Sequence, residues 1–321
     1  MNGIEIGDSI CKAVDKAVED ADDEGPRAHL GISIIGRECP RAVWYSWRWY
    51  RFVKHTGRLL RLFSRGHREE PALIQYLEGM GAKVEALDPN TGKQFLASDF
   101  GGHYGGSCDG KVSGLEAFGL VGKGLLEFKT HNEKSFKALK EKGVQTAKRE
   151  HYVQMQEYMG YHSLLWALYV AVCKNDDHLY IEVVYFREET FQLYRDRASD
   201  LVEARCPPNR ISNTSSYFVC KFCDFHDICH HGAPQEQNCR TCSFSVAQQP
   251  TCYHDVENDA YFTSNERLPG PDEECDELAP HIWEMLAERK VPRWYCEKWR
   301  DMIPEPFMKK GCDHWEGVNQ R

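Results

Sequence analysis

A bilayer-length apolar run is missing from these 321 residues. The longest, 164–173, has ten residues, about half of the ~20 that a spanning helix needs, so no membrane association is expected. The opening Met1-Asn2-Gly3-Ile4-Glu5 carries an acid and no basic stretch. No secretory signal is therefore expected, and the chain reads as cytoplasmic, or intracellular more broadly. Neither an internal repeat nor a low-complexity tract is visible, so a repeat array is not expected. With 41% hydrophobic and 12% aromatic residues, wholesale disorder is excluded, and one sizeable core plus a smaller appendage is expected.

Acidic residues are absent from one long stretch. Positions 41–68 hold eight Lys or Arg and no Asp or Glu. The net charge of −9 hides this, because residues 1–30 carry 3 basic against 8 acidic and residues 233–321 carry 10 against 17, leaving +3 for 31–232. Trp44, Tyr45, Trp47, Trp49 and Tyr50 are interleaved with the basic residues. The stretch reads either as a solvated helix face or as a polyanion footprint with rings to stack on bases. On the second reading Arg41, Arg48, Arg51, Lys54 and Arg58 contact DNA. What the chain has in plenty is cysteine, fourteen of them. Reducing conditions disfavour disulfides, and many of these cysteines are spaced as metal ligands.

Periodicity predicts a polar helix within 1–30 ending at Gly25-Pro26. A helix is expected over 43–63 with a break near Gly57, and a second over 71–79 with Leu73, Ile74 and Leu77 as its apolar stripe. Strands are expected at 84–87 and 124–130, the latter pairing with the segment around 107–112 as a hairpin. A long apolar helix is expected over 150–173, a strand at 180–186 and a helix over 187–205. Beyond Pro207-Pro208 the segments are short and cysteine-rich.

Leu125-Leu126-Glu127-Phe128-Lys129 carries the most chemistry. In a strand Glu127 and Lys129 share a face, while Leu126 and Phe128 enter the core on the other. If the preceding strand region pairs with it, Asp109 and Glu127 converge on one hard divalent cation. Such a site suits phosphodiester hydrolysis: the carboxylates hold Mg²⁺ or Mn²⁺, and Lys129 orients water or offsets developing charge. On its own the pattern also describes a surface strand with a salt bridge. Gly66-His67-Arg68-Glu69-Glu70 opens the helix before the strands. His67 is a candidate imidazole ligand that favours Mn²⁺, and Glu70 can hold a metal-bound water or the lysine. The bland alternative is a pair of acids stabilising a helix dipole. Gln154 and Tyr158, four apart, share a helix face after the strands.

Taken together, Gly66, His67 and Glu70, then Asp109, then Glu127 and Lys129, then Gln154 and Tyr158 resemble the PD-(D/E)xK nuclease superfamily, in particular its RecB/AddB-type and viral-exonuclease branch. The resemblance covers residues 31–232. Cys108-Asp109 replaces the usual Pro-Asp. The implied fold is α/β, a restriction-endonuclease-like core in which a mixed sheet is flanked by helices and the metal site lies at one sheet edge.

Cys220, Cys223 and Cys229 form a C-x₂-C-x₅-C run that needs a fourth ligand. His226, His230 or His231 would make a zinc site, and Cys39 is a distant candidate. Cys39-Pro40-Arg41 leading into an aromatic helix resembles the iron–sulfur nucleases of the AddB type and of CRISPR adaptation. That resemblance implies a 4Fe–4S cluster on Cys39, Cys220, Cys223 and Cys229, a structural staple closing a long loop. A second set, Cys239, Cys242 and Cys252, looks like part of a zinc ribbon. Cys275 is the favoured fourth ligand, with Cys312 and His254 as alternatives. Three pieces are expected: an N-terminal helical segment, 1–30; the nuclease domain closed by the cluster, 31–232; and a cysteine-rich zinc module, 233–321.

The expected activity is that of a Mg²⁺- or Mn²⁺-dependent deoxyribonuclease, an exonuclease working at DNA ends in recombination, repair or viral replication. DNA is the expected partner, with a recombination or replication protein as a further one. The alternatives are a site-specific endonuclease and a non-catalytic nucleic-acid-binding protein with a degenerate core.

Overall fold

The computed structural model describes residues 2–23, 25–248, 252–255, 260–263, 292–303, 308–312 and 315–318, with the backbone alone at 252–255, 260–263 and 301–302. The chain divides into two units built from alternating stretches. One comprises Met1–Pro26, Phe52–Phe95 and Cys108–Arg187, and the other Arg27–Arg51, Leu96–Ser107 and Glu188–Arg321. The three consecutive pieces expected from the sequence cut across this division. Among the described residues no helix is long and apolar enough to cross a membrane.

The first unit is a mixed sheet with helices on it. Helix α1, Gly3–Asp20, starts at an Asn2 capping box closed by Glu5. Helix α2, Gly57–Gly79, is capped by Thr56 and contains Pro71. The sheet strands are β1 (Lys83–Glu85), β2 (Gly110–Ser113), β3 (Gly124–His131), β4 (Trp166–Cys173) and β5 (Leu179–Tyr185), and they lie in that order. All neighbours are antiparallel except β3 and β4. That parallel pair needs a crossover, supplied by α3 (Glu133–Ala147) and α4 (Arg149–Tyr161). Leu73 and Leu77 of α2 pack with Val112, Leu126, Phe128, Trp166, Leu168 and Val170 in one core.

Two expectations are corrected here. The helices predicted over 43–63 and 71–79 are instead Pro40–Trp47 and a continuous α2 that runs through Pro71. Proline removes the N–H that would bond the His67 carbonyl, but burial of Leu73 and Leu77 holds the helix together. The long helix predicted over 150–173 ends at Tyr161, and its second half is strand β4, buried at every position. An unbroken apolar run is what a strand covered on both faces requires, and it cannot be told from a buried helix by periodicity. Ser163, at φ 54°, marks the boundary.

The second unit has a small sheet in which Leu30–Gly31 pairs parallel with Tyr104–Ser107, itself antiparallel to Leu96–Asp99. Helices Pro40–Trp47 and Glu188–Glu203 belong to it. A further antiparallel sheet joins Ser245–Gln248, Arg293–Cys296 and Asp301–Met302. Its largest buried side chains include Trp44, Trp47, Trp294, Tyr45, Tyr50 and, unusually, Arg240.

Candidate active site

The constellation lies within the first unit. Strand β3 alternates, so Leu126 and Phe128 enter the core while Glu127, Lys129 and His131 share the opposite face. Antiparallel pairing sets Gly110 opposite Leu126, which brings Asp109 beside the centre of β3, where its Oδ2 accepts the Phe128 N–H at 2.7 Å. Gly110 is needed for this approach: at φ 156°, a Cβ there would fall 2.8 Å from the Glu85 carbonyl oxygen. The Lys129 ammonium pairs with Glu127 Oε1, and Gln154 Nε2 of α4 donates to the same oxygen at 2.8 Å. Tyr158, one turn on, is buried. Glu70 of α2 bonds His67 Nδ1 at 3.2 Å. The His67 side chain is 80% exposed, whereas that of Glu70 is 30% exposed.

Glu127 has no solvent exposure, and burial pushes its carboxyl up to about 7. Lys129 opposes that shift, and Asp109 and Glu70 add to it. Removal from water works against the Lys129 ammonium, but Glu127, Asp109 and Glu70 outweigh it and hold the lysine above its ordinary value. Burial, then Asp109, raises Glu70, against the pull of His67 and Lys129. Three carboxylates are thus crowded around one ammonium. Moreover, Glu127 Oε2 is buried with no hydrogen-bond partner among the described residues. A carboxylate oxygen can only accept, and leaving it bare in the interior is costly. A hard oxygen set with an orphaned buried acceptor fits a hard divalent cation.

Sequence reasoning missed a neighbouring cluster. Tyr169 is the β4 register partner of Glu127, and its hydroxyl lies 2.9 Å from His131 Nε2 and 2.9 Å from His151 Nδ1. Burial, then nearby lysines, depresses His131 to about 4 and does the same to His151, which falls to about 2. The alternation Glu127, Lys129, His131 was the available signal.

The second unit holds the cysteines of interest, and every cysteine whose side chain is described is a free thiol. Cys39 precedes helix Pro40–Trp47, while Cys220, Cys223 and Cys229 lie on or beside the short helices Phe218–Lys221 and His226–His231. Burial raises the Cys220 and Cys223 thiols, and Cys39 and Cys229 raise both further, so Cys39 and Cys229 each lie within electrostatic reach of Cys220 and Cys223. His226 and His231 instead group with Asp227, their donor atoms lying within 4.8 Å of one another. Cys239 and Cys242 are buried, and Cys312 lies near Cys239. Cys275 and the side chains of Cys252 and His254 lie outside the described residues.

The basic stretch requires a correction. Arg41 and Arg48 are buried, so neither presents a surface charge to a polyanion. Arg41 Nε donates to the Pro208 carbonyl at 2.5 Å. Arg48 donates to the Cys242 and Ser245 carbonyls at 3.2 and 3.3 Å, and its guanidinium lies 4.9 Å from the Trp294 ring centre. The interleaved tryptophans are core, and the arginines pack among them. Arg51 is half-buried and donates to the Asp224 carbonyl at 2.9 Å, while Lys54 and Arg58 are exposed.

No family model matches the chain, and no curated protein matches it. Among solved structures, SSO0001 is 16% identical over 68% of this chain and 96% of its own, at a TM-score of 0.40. The alkaline exonuclease LHK-Exo from Laribacter hongkongensis is 16% identical over 58% of this chain and 90% of its own, at 0.38. The same exonuclease in complex with dAMP is 16% identical over 55% and 86%, at 0.34. Likeness at this level assigns neither family nor activity.

Proposed function

We propose that this chain is a divalent-metal-dependent nuclease of the PD-(D/E)xK type. It hydrolyses phosphodiester bonds of DNA and acts as an exonuclease at DNA ends in recombination, repair or viral replication. One observation carries the proposal: a fully buried glutamate with an unpartnered oxygen, bracketed by Asp109, Glu70, Lys129 and Gln154 on paired strands and facing helices. Asp109 and Glu127 are the ligands of Mg²⁺ or Mn²⁺, and His67 can join them by a turn of its exposed side chain. Such an ion polarises the scissile phosphate and lowers the pKa of a bound water. Lys129 orients the attacking water and offsets charge on the phosphate. Gln154 holds Glu127 Oε1, leaving Oε2 for the cation, and Tyr158, one turn on, helps place substrate or Lys129. Glu70 faces Asp109 and steadies water or Lys129.

Cys39, Cys220, Cys223 and Cys229 are proposed to hold a 4Fe–4S cluster with a structural role, since hydrolysis moves no electron. Free thiols from distant parts of the chain within reach of one another support this, as does the entropy removed by closing so long a loop. A recombination or replication protein is the proposed partner.

Labelled linear DNA with Mg²⁺ or Mn²⁺ is the test. Degradation is expected from linear but not covalently closed DNA, and it should be lost in Asp109→Ala and Lys129→Ala. Undiminished activity in both variants overturns the site. Tight DNA binding without turnover under any divalent metal would leave a non-catalytic binder.

A further inference from the structure

In the second unit, three segments far apart in sequence meet around one turn. Residues 239–242 form it: the Asn238 side chain accepts the N–H groups of Arg240 and Thr241 at 2.9 and 3.1 Å, and the Cys242 N–H reaches the Cys239 carbonyl at 3.3 Å. This fixes a C-x₂-C pair whose side chains are both buried.

Strand Arg293–Cys296 comes in beside it. Cys296 pairs with Ser245, whose own N–H bonds the Cys242 carbonyl at 3.2 Å, and Cys296 is buried.

The C-terminal segment returns to the same turn. Ser243 N–H bonds the Glu316 carbonyl at 2.7 Å, and Val318 N–H bonds the Thr241 carbonyl at 3.1 Å. Cys242 bridges to Gly317. Trp315 clamps the loop, its indole N–H donating to the Asn238 carbonyl at 3.0 Å while its backbone N–H donates to the Cys312 carbonyl at 3.0 Å.

We propose that Cys239, Cys242, Cys296 and Cys312 form a tetrathiolate site for one Zn²⁺ that ties the C-terminal segment to the 239–242 turn. Cys296 stands where spacing alone suggested Cys252, and Cys312, one of the alternatives, where it suggested Cys275.

A further observation points to the same place. The buried Arg48 guanidinium meets only carbonyls and rings among the described residues: it bonds the Cys242 carbonyl, its Nε has no partner, and no carboxylate pairs with it. A buried cation needs compensating negative charge. A zinc ion with four thiolates carries net negative charge, and this one would lie beside Cys242. The strands here have only two to four residues, so a cross-link adds to what their short ladders supply. Soft thiolates on a C-x₂-C turn suit zinc, and closing the loops on one ion restrains the unfolded chain.

The test is metal analysis of the full chain purified anaerobically, comparing Cys296→Ser and Cys312→Ser with Cys252→Ser and Cys275→Ser. About one zinc per chain is expected, lost in the first pair and kept in the second. Because loss of a ligand can unfold the segment, Cys312→His is measured after cobalt replacement. Imidazole substitutes for thiolate, so the sulfur-to-cobalt band should weaken without vanishing. Zinc retained in Cys296→Ser, zinc lost in Cys252→Ser or Cys275→Ser, or iron rather than zinc lost in Cys296→Ser overturns the assignment. Asp109→Ala is expected to keep its zinc, so failure of the nuclease reading and failure of this site are read separately.

Discussion

In the first unit the buried Glu127 carboxylate has Lys129 beside it and two further carboxylates within reach. In the second, Arg48 and Arg240 are buried among carbonyls and indole rings, Arg240 lying 3.8 Å from the Trp49 ring centre, with free thiols nearby. Negative charge on hard oxygens is in excess in one place, and positive charge beside soft sulfur in the other. The oxygen set suits a hard divalent cation, whereas thiols beside arginines suit a thiolate-bound metal. The comparison also separates two kinds of basic residue that look alike in sequence, since Lys129 sits in a site whereas Arg48 and Arg240 sit in a core.

The sharpest break of the comparison is at the carboxylates. Asp109→Ala is expected to lower nuclease turnover by about 10³-fold or more, a loss typical of removing an electrostatic stabiliser of the transition state. Its thermal stability without metal should be unchanged or raised, because crowding among three acids is relieved. Mn²⁺ should raise the melting temperature of the natural chain but not of the variant, since binding to the folded state alone stabilises it. Equal metal shifts in both proteins would break the assignment. In the second unit the sign reverses. Arg240→Ala should cost about 1–3 kcal/mol of stability, the range for leaving buried acceptors such as the Trp47 and Ala28 carbonyls without their donor, as read by denaturant unfolding. A variant as stable as the natural chain would show that this guanidinium holds nothing together.

How much of this was legible depended on whether local pattern or tertiary cover decided the outcome. Glu127 and Lys129 were legible because a strand's alternation fixes which side chains share a face, and Asp109 followed from the hairpin. The strand at 166–173 was not legible as strand, because burial on both faces erases alternation. Arg41 and Arg48 were misread because a run of arginine and tryptophan has the same composition whether it faces a polyanion or fills a core, and only the carbonyls that receive them decide between the two. Cys296 left no signal at all: it stands alone in a Trp-Tyr strand, and only its pairing with Ser245 brings it to the 239–242 turn. Cys39 was reached by resemblance rather than by any spacing.

A smaller effect is expected from His103, buried in the second unit between Trp47 and Trp294, with Nε2 2.8 Å from the Arg293 carbonyl oxygen. Burial, then Arg240, lowers it to about 3, with the Arg293 and Gln248 backbone opposing and Arg48 adding to the shift. Its folded value lies below the unfolded 6.5, so the unfolded chain binds the extra proton between these limits and stability falls as pH drops from about 6.5 towards 3. At pH 5 the loss from this one group is about 2 kcal/mol. His103→Gln should flatten that part of the pH–stability curve, and an unaltered slope would mean that the ring is not held neutral.

The smallest effect separates surface charge from core charge within the basic stretch itself. Lys54 and Arg58 are exposed, so replacing either by alanine should change stability by no more than about 0.5 kcal/mol. If they contact phosphate, each replacement should weaken DNA binding alike on all sequences. Each should also reduce the slope of log affinity against log salt by about 1, because fewer counterions are released. Arg48→Ala should do the opposite, lowering stability and leaving the salt slope unchanged, since a guanidinium bonded to the Cys242 and Ser245 carbonyls releases no counterion from DNA. Salt titrations of the three variants side by side therefore decide which residues of one continuous basic segment face a polyanion. A reduced slope in Arg48→Ala would restore the surface reading that its burial denies.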